Sequence, residues 1–349
     1  MHIVDGFARL TTGFLLTRIG APSVEAFDSL QGFEIDSCNS SPLTNSYSMP
    51  FSHFADRLTA AVKQKRTPLV VGIDPRANQL PTGLKDDNSG MAERFAKFGM
   101  AVIDAVADLV PAVKPQAAFF EQLGPAGCVA LASVVDYAAA KGLIVVMDAK
   151  RGDIGSTAEA YAAAYLGPKP ESAWGCDCLT VNPYMGNDTL TPFVDAADRS
   201  GSGLFVLVKT SNPGSDWIQA KVENDQPIYH LVADEIQRLS ADNIGKSGYG
   251  NIGAVVGATY PQQLSELRER MPNTLFLIPG FGAQGGTASD VAGGLDENGL
   301  GGLINSSRAV IFAYQQKQYS NLSWQDAIRE AAQDTIDRIA DGTSASRLR

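Results

Sequence analysis

Eight short apolar runs alternate with stretches of helical spacing between Pro68 and Gln315, and few architectures accept that rhythm. The runs are Pro68–Asp74, Ala112–Pro115, Leu143–Asp148, Cys178–Asn182, Leu204–Val208, Ile252–Val256, Leu275–Ile278 and Gly302–Asn305. Short apolar runs closed off by Gly, Pro, Asp or Asn read as buried strands. Helical spacing covers Phe51–Lys65, where Phe54, Leu58, Ala61 and Val62 share one face. It returns over Met91–Leu109, Pro125–Lys141, Thr157–Leu166, Asp188–Ala197, Ile228–Leu239, Pro261–Arg270 and Ala309–Gln315, with a last helix over Trp324–Ile339. Strands separated by helices pair in parallel through right-handed crossovers. Eight such units close on themselves, so the expected fold class is α/β, a single (β/α)8 TIM barrel with extra helices at its ends. An open doubly wound sheet would want a glycine-rich dinucleotide fingerprint after the first strand, and Gly72-Ile73-Asp74-Pro75-Arg76 lacks that spacing.

Residues 1–48 stand apart from this rhythm. Ser37–Ser48 is polar and rich in breakers, the composition of a linker or loop. The expected organisation is an N-terminal extension over 1–48 with little order of its own, an appendage or an over-extended start, then a barrel domain over 49–349. The net charge is -10, with no basic block to attract nucleic acid or an anionic membrane surface. No segment is long and apolar enough to span a bilayer, and the N-terminus lacks a signal-peptide pattern, so the expected location is cytoplasmic. The chain has four cysteines and three histidines. Cys176 and Cys178 fall in a strand-like segment where alternation puts both thiols on one face, but no further Cys or His stands at ligand spacing. Free buried thiols and no metal site are expected.

Polar residues at the strand ends would line the barrel mouth, where such folds house their chemistry. Asp74, Lys114, Asp148, Lys150 and Asn182 all fall there, and Lys209-Thr210-Ser211-Asn212-Pro213-Gly214 follows the fifth strand. Asp148 and Lys150 are two apart, so strand alternation points them the same way, with Asp153 in the loop beyond. Such a cluster is either a structural ion pair, costly to desolvate, or a lysine kept cationic by flanking carboxylates and ready to donate a proton. An imine-forming lysine would instead need a depressed pKa. The lysine in the middle also spoils the trio as a divalent-metal cage. Arg151 either braces this loop or faces solvent, with solvent the preferred reading.

A second cluster follows the seventh and eighth strands. Pro279–Gly286 is rich in glycine, and Asn305-Ser306-Ser307-Arg308 opens a helix. Glycine backbones, unpaired helix-start N–H groups and an arginine fork together suit a phosphate.

These residues, taken in order, resemble a known family. Asp148-Ala149-Lys150-Arg151-Gly152-Asp153-Ile154-Gly155-Ser156-Thr157 is similar to the signature of orotidine 5'-monophosphate decarboxylases, in their longer-chain bacterial branch. Val113-Lys114-Pro115, Lys209–Gly214, Pro279–Gly286 and Ser307-Arg308 follow in the family order, and the likeness runs over roughly residues 52–340. The resemblance implies conversion of orotidine 5'-monophosphate to uridine 5'-monophosphate and CO2 in pyrimidine biosynthesis, without metal or organic cofactor. It implies a charged network of Lys114, Asp148, Lys150 and Asp153, in a homodimer whose shared sites receive Asp153 and Thr157 from the neighbouring subunit. Asp74 and Lys114 would hold the ribose, Ser211 the pyrimidine, and Gln284 and Arg308 the phosphate. Gly280–Gly286 is the expected closing loop. One rival is a magnesium-dependent sugar-phosphate decarboxylase of the same superfamily, which would favour an extra acidic residue where Lys114 stands. The other is a non-catalytic barrel that binds a phosphorylated ligand.

Overall fold

The computed structural model describes residues 52–223, 225–282 and 286–349. The proposed extension over 1–48 therefore lies outside the described residues, as does Gln284.

Eight parallel strands form a closed barrel: β1 (Leu69–Ile73), β2 (Ala112–Pro115), β3 (Ile144–Arg151), β4 (Cys178–Val181), β5 (Gly203–Lys209), β6 (Ile252–Val256), β7 (Phe276–Pro279) and β8 (Gly302–Ser306). Each strand pairs with its sequence neighbours, and β8 closes back onto β1 through Val70↔Asn305 and Val71↔Ser306. The expected (β/α)8 barrel is the observed one.

The period of two divides the apolar strand residues between two cores. Val70, Ala112, Val146, Cys178, Phe205, Val255, Leu277 and Leu303 fill the barrel interior. Their neighbours Val71, Val113, Val145, Leu179, Val206, Ala254, Ile278 and Ile304 pack outward against the helices. Helix Phe54–Lys65 joins the interior core and inserts Phe54, fully buried, edge-on to Phe205 at 6.3 Å between ring centres. Gly203 makes room for it, since a Cβ there would stand 2.1 Å from the Phe54 ring. Burying two such rings stabilises each by roughly 2–3 kcal/mol. The apolar plug at this end leaves the opposite end of the barrel, the carboxyl ends of the strands, for polar side chains.

Continuing the inward parity upward passes from apolar to polar: Val70 leads to Gly72 and Asp74, Ala112 to Lys114, Val146 to Asp148, Cys178 to Thr180, and Leu303 to Asn305. One alternating register thus builds both the core and the ring of polar groups above it.

Several boundaries differ from the sequence expectation. β3 runs three residues past Asp148. The helix after β8 is only Arg308–Ile311, followed by a single 3-10 turn over Ala313–Gln315. A five-residue helix, Ala288–Ala292, fills the place after β7 where no helix was expected. The segment between β5 and helix Ile228–Ala241 also carries a two-stranded hairpin, Val222–Glu223 with Gln226–Pro227.

Cys176 lies outside β4 and forms an isolated bridge with Leu166, so strand alternation does not set the two thiols on a shared face. Both are free and buried, and burial raises both thiol pKa values. Cys128 is free and half-buried, and Cys38 lies outside the described residues. Among the described residues no group of three His, Cys, Asp or Glu side chains could hold a metal ion, and no helix is long and apolar enough to cross a membrane.

Candidate active site

A cavity of about 790 Å³ opens at the carboxyl ends of the strands. Leu207, Val255 and Leu277, the last interior apolar residues of their strands, line it alongside the polar groups. Of the residues expected at the site, Asp74, Lys114, Asp148, Lys150, Ser211, Ser307 and Arg308 all line this one cavity. Asp153 and Thr157 do not. Asp153 turns back to accept the backbone N–H of Ile154 at 2.8 Å, and Thr157 is exposed. A single chain therefore does not gather Asp148, Lys150 and Asp153 at one strand mouth. Asp153 lies two residues beyond the end of β3, outside the cavity lining.

Asp148 is the centre of the polar floor. Its Oδ2 accepts from Lys114 Nζ at 2.7 Å and from Gln116 Nε2 at 3.0 Å. Its Oδ1 accepts from Lys150 Nζ at 2.5 Å and from the Thr180 hydroxyl at 3.1 Å. Four donors fill the acceptor sites of one carboxylate. Burial alone would raise the Asp148 pKa. The Lys114 and Lys150 charges and their hydrogen bonds outweigh it and hold the carboxyl far below the usual carboxylate range. For Lys114, burial lowers the pKa, but Asp148 and then Asp74 more than offset it, so the ammonium is held above its ordinary value. Asp148 and Lys114 are both ionised throughout the neutral range.

The two lysines are not equivalent. The Lys114 side chain is 6% exposed, whereas that of Lys150 is 46% exposed. Lys114 is a fixed counter-charge locked in the barrel. Lys150 reaches the cavity and can meet a ligand.

Strand alternation does not by itself bring Lys150 to Asp148. The β3–β4 register runs Met147↔Leu179 and then Arg151↔Val181, so three residues of β3 stand opposite Thr180 alone. Lys150 sits in the left-handed region at φ 49°. That conformation costs a side-chain-bearing residue about 1–2 kcal/mol and persists only where surrounding contacts enforce it. Arg151 supplies part of the brace, contrary to the preference for solvent. Its guanidinium donates to the Ala149 carbonyl at 3.2 Å and to the Tyr165 hydroxyl at 3.0 Å, and it pairs with Glu121.

At the other end of the cavity, Ser307 and Arg308 follow β8. Gly72 permits this approach, because a Cβ there would collide with Ser307 Oγ at 1.8 Å. Asp74 Oδ1 and Asn305 Oδ1 are buried without partners beside the cavity, two acceptors held ready for hydroxyl or amide donors.

Lys209, Gln116 and Thr180 were not singled out as site residues from the sequence. Lys209 is buried at the end of β5. Its Nζ donates to Ser215 Oγ at 2.7 Å, pairs with Asp216 at 2.9 Å and lies 4.5 Å from the Tyr260 ring centre. It pins the loop that presents Ser211. All three are polar residues at or just beyond a strand's carboxyl end, and that position was the available signal.

Known proteins resemble this chain in sequence and fold. The model of the orotidine 5'-phosphate decarboxylase / HUMPS family matches residues 67–322. The chain belongs to the orotidine 5'-phosphate decarboxylase family. Among curated relatives, the orotidine 5'-phosphate decarboxylase of Rhodopirellula baltica is 51% identical over 289 residues, covering 80% of this chain and 96% of that protein. That of Caldicellulosiruptor bescii is 39% identical over 282 residues, covering 77% and 92%. The solved structure of Leishmania donovani OMP decarboxylase superposes with a TM-score of 0.65 at 33% identity, covering 83% of this chain and 98% of that one. The family match spans β1 to β8, and so includes every residue that lines the cavity described above.

Proposed function

We propose that this site decarboxylates orotidine 5'-monophosphate to uridine 5'-monophosphate, with Lys150 as the proton donor. The observation that carries the reading is the Asp148 carboxylate clamped between a buried Lys114 and an accessible Lys150, in the same cavity as Ser307 and Arg308.

Breaking the C6–carboxylate bond leaves an electron pair in the plane of the pyrimidine ring, where the ring cannot delocalise it. Without an electron sink, the pair needs a fixed cation close by, and preorganised charge in a water-poor cavity is the strongest available device. Lys150 Nζ supplies that charge and then transfers its proton to C6. It is left neutral and regains a proton from solvent. Asp148 holds the ammonium in place, and Lys114 neutralises Asp148 from the buried side. Asp74 and Lys114 bind the ribose hydroxyls, Ser211 the pyrimidine, and Ser307, Arg308 and Gln284 the phosphate. The phosphate is remote from the reacting carbon, so its binding energy is free to close the loop over Gly280–Gly286. No metal or organic cofactor enters this scheme.

If Arg308 grips the phosphate, Arg308→Ala weakens binding of uridine 5'-monophosphate by roughly 10- to 100-fold, the range for a lost charge-assisted hydrogen bond. Binding of uridine stays nearly unchanged. Titration calorimetry with both ligands checks this, and equal losses would remove Arg308 from the phosphate site.

Asp153 and Thr157 act across a homodimer interface in this reading. Its support is that neither lines the chain's own cavity, that Tyr184 in the cavity lining is 75% exposed, and that Ile154, next to Asp153 in the chain, is 62% exposed. Apolar side chains that exposed fit a partner subunit. A mixture of Asp153→Ala and Lys150→Ala chains, each inactive alone, should recover roughly a quarter of wild-type activity, because half the dimers then hold one intact site. A mixture as inactive as its components would mean that each chain builds its site alone.

A further inference from the structure

We propose that Thr180 is the positioning residue that turns Lys150 onto Asp148. A single buried hydroxyl closes the irregular end of β3. The proposal rests on the roles given above to Asp148 and Lys150.

The register between β3 and β4 advances four residues on one strand for two on the other, from Met147↔Leu179 to Arg151↔Val181. Asp148, Ala149 and Lys150 are left opposite one residue, so the backbone N–H groups of Ala149 and Lys150 have no ladder partner on β4. The Thr180 side chain takes both. Its Oγ1 accepts from Ala149 N at 3.0 Å and from Lys150 N at 2.9 Å. Its own proton goes to Asp148 Oδ1 at 3.1 Å.

A hydroxyl has one donor and two acceptor sites, and here all three are used. Thr180 is 1% exposed, so water cannot stand in for it. The same oxygen fixes the backbone turn that gives Lys150 its left-handed φ and orients the carboxylate that receives the Lys150 ammonium. From the outer side, Arg151 holds the Ala149 carbonyl. Lys150 itself is exposed, and among the described residues the one hydrogen bond of its ammonium is to Asp148. Removing the hydroxyl while keeping the shape would strand two half-buried N–H groups and free the β3 end to relax. The ammonium would shift without any loss of ligand-binding groups.

Thr180→Val is the direct test, read as steady-state kinetics on orotidine 5'-monophosphate and as affinity for uridine 5'-monophosphate. The expected result is a fall in kcat on the order of 100-fold, with KM and product affinity changed less than about threefold, because misplacement by about 1 Å costs that much in rate. Thr180→Ser keeps the hydroxyl and should restore turnover to within about threefold of wild type. Amide exchange on the unmodified protein gives a measurement that no variant's folding can spoil: the Ala149 and Lys150 N–H groups should be among the protected set. Free exchange at both would overturn the proposal. So would a Thr180→Val enzyme as fast as wild type, or a Thr180→Ser enzyme as slow as Thr180→Val. Full turnover by Lys150→Ala would instead strike the proton-donor assignment and leave nothing for Thr180 to position, which separates the two failures.

Discussion

Lys150→Ala is expected to cut turnover by at least about ten-thousand-fold, equivalent to roughly 5 kcal/mol of barrier, while uridine 5'-monophosphate still binds. The size follows from two losses at once. General acids contribute up to about ten-thousand-fold, and the same ammonium is the charge that stabilises the ring anion. Binding survives because the Lys150 side chain is 46% exposed in the open cavity, so truncating it does not break the core. Asp148 keeps three of its four donors, Lys114, Gln116 and Thr180. Stopped-assay turnover and product titration on the same preparation check both halves. Ordinary turnover would show that the proton comes from elsewhere.

Asp148→Asn should be the most destabilising substitution at the site, by about 3–5 kcal/mol at pH 7. An asparagine of the same shape turns an amide donor toward Lys114 or Lys150 and leaves the buried Lys114 ammonium without its counter-charge. The pH dependence carries the sign of a depressed carboxylate. The folded pKa of Asp148 lies far below its unfolded value of about 3.9, so its contribution is complete above that value and is lost as pH falls toward the folded one. The stability gap between wild type and variant should therefore stay flat from about pH 5 to pH 9 and narrow below about pH 4. The raised pKa of Lys114 acts at the other end, where its share is present in the neutral range and lost only as pH rises through that raised value. Urea denaturation at stepped pH measures the gap. A gap unchanged down to pH 3 would mean that the substitution acts through packing and not through charge.

Much of the architecture was legible in the chain because a barrel strand declares itself twice, in its apolar run and in its turn residues. β2 and β6 fall where the sequence placed them, at Ala112–Pro115 and Ile252–Val256. Helix Ala288–Ala292 was invisible because five residues among glycines carry too little periodicity to register. β3 was cut short at Asp148 because Lys150 and Arg151 look like loop residues, while their pairing depends on β4, some thirty positions away in the chain.

At the site, the residue types and their strand ends were set by the local pattern: a polar side chain at the top of an inward-facing series must line the mouth, whatever its neighbours. The chain alone therefore determined the barrel, the polar ring above its core and the membership of Asp74, Lys114, Asp148 and Lys150 in that ring, with Ser307 and Arg308 marked by the helix start after β8 and Ser211 by the family resemblance. Tertiary structure decided how those groups meet. The extra residues of β3, the left-handed turn at Lys150, the Thr180 hydroxyl beneath it and the departure of Asp153 from the cavity all depend on cross-strand pairing and bends. The physical reason is range: alternation along a strand is written in adjacent residues, but a shift in register is settled only when two distant strands lie side by side and their hydrogen bonds must all be satisfied.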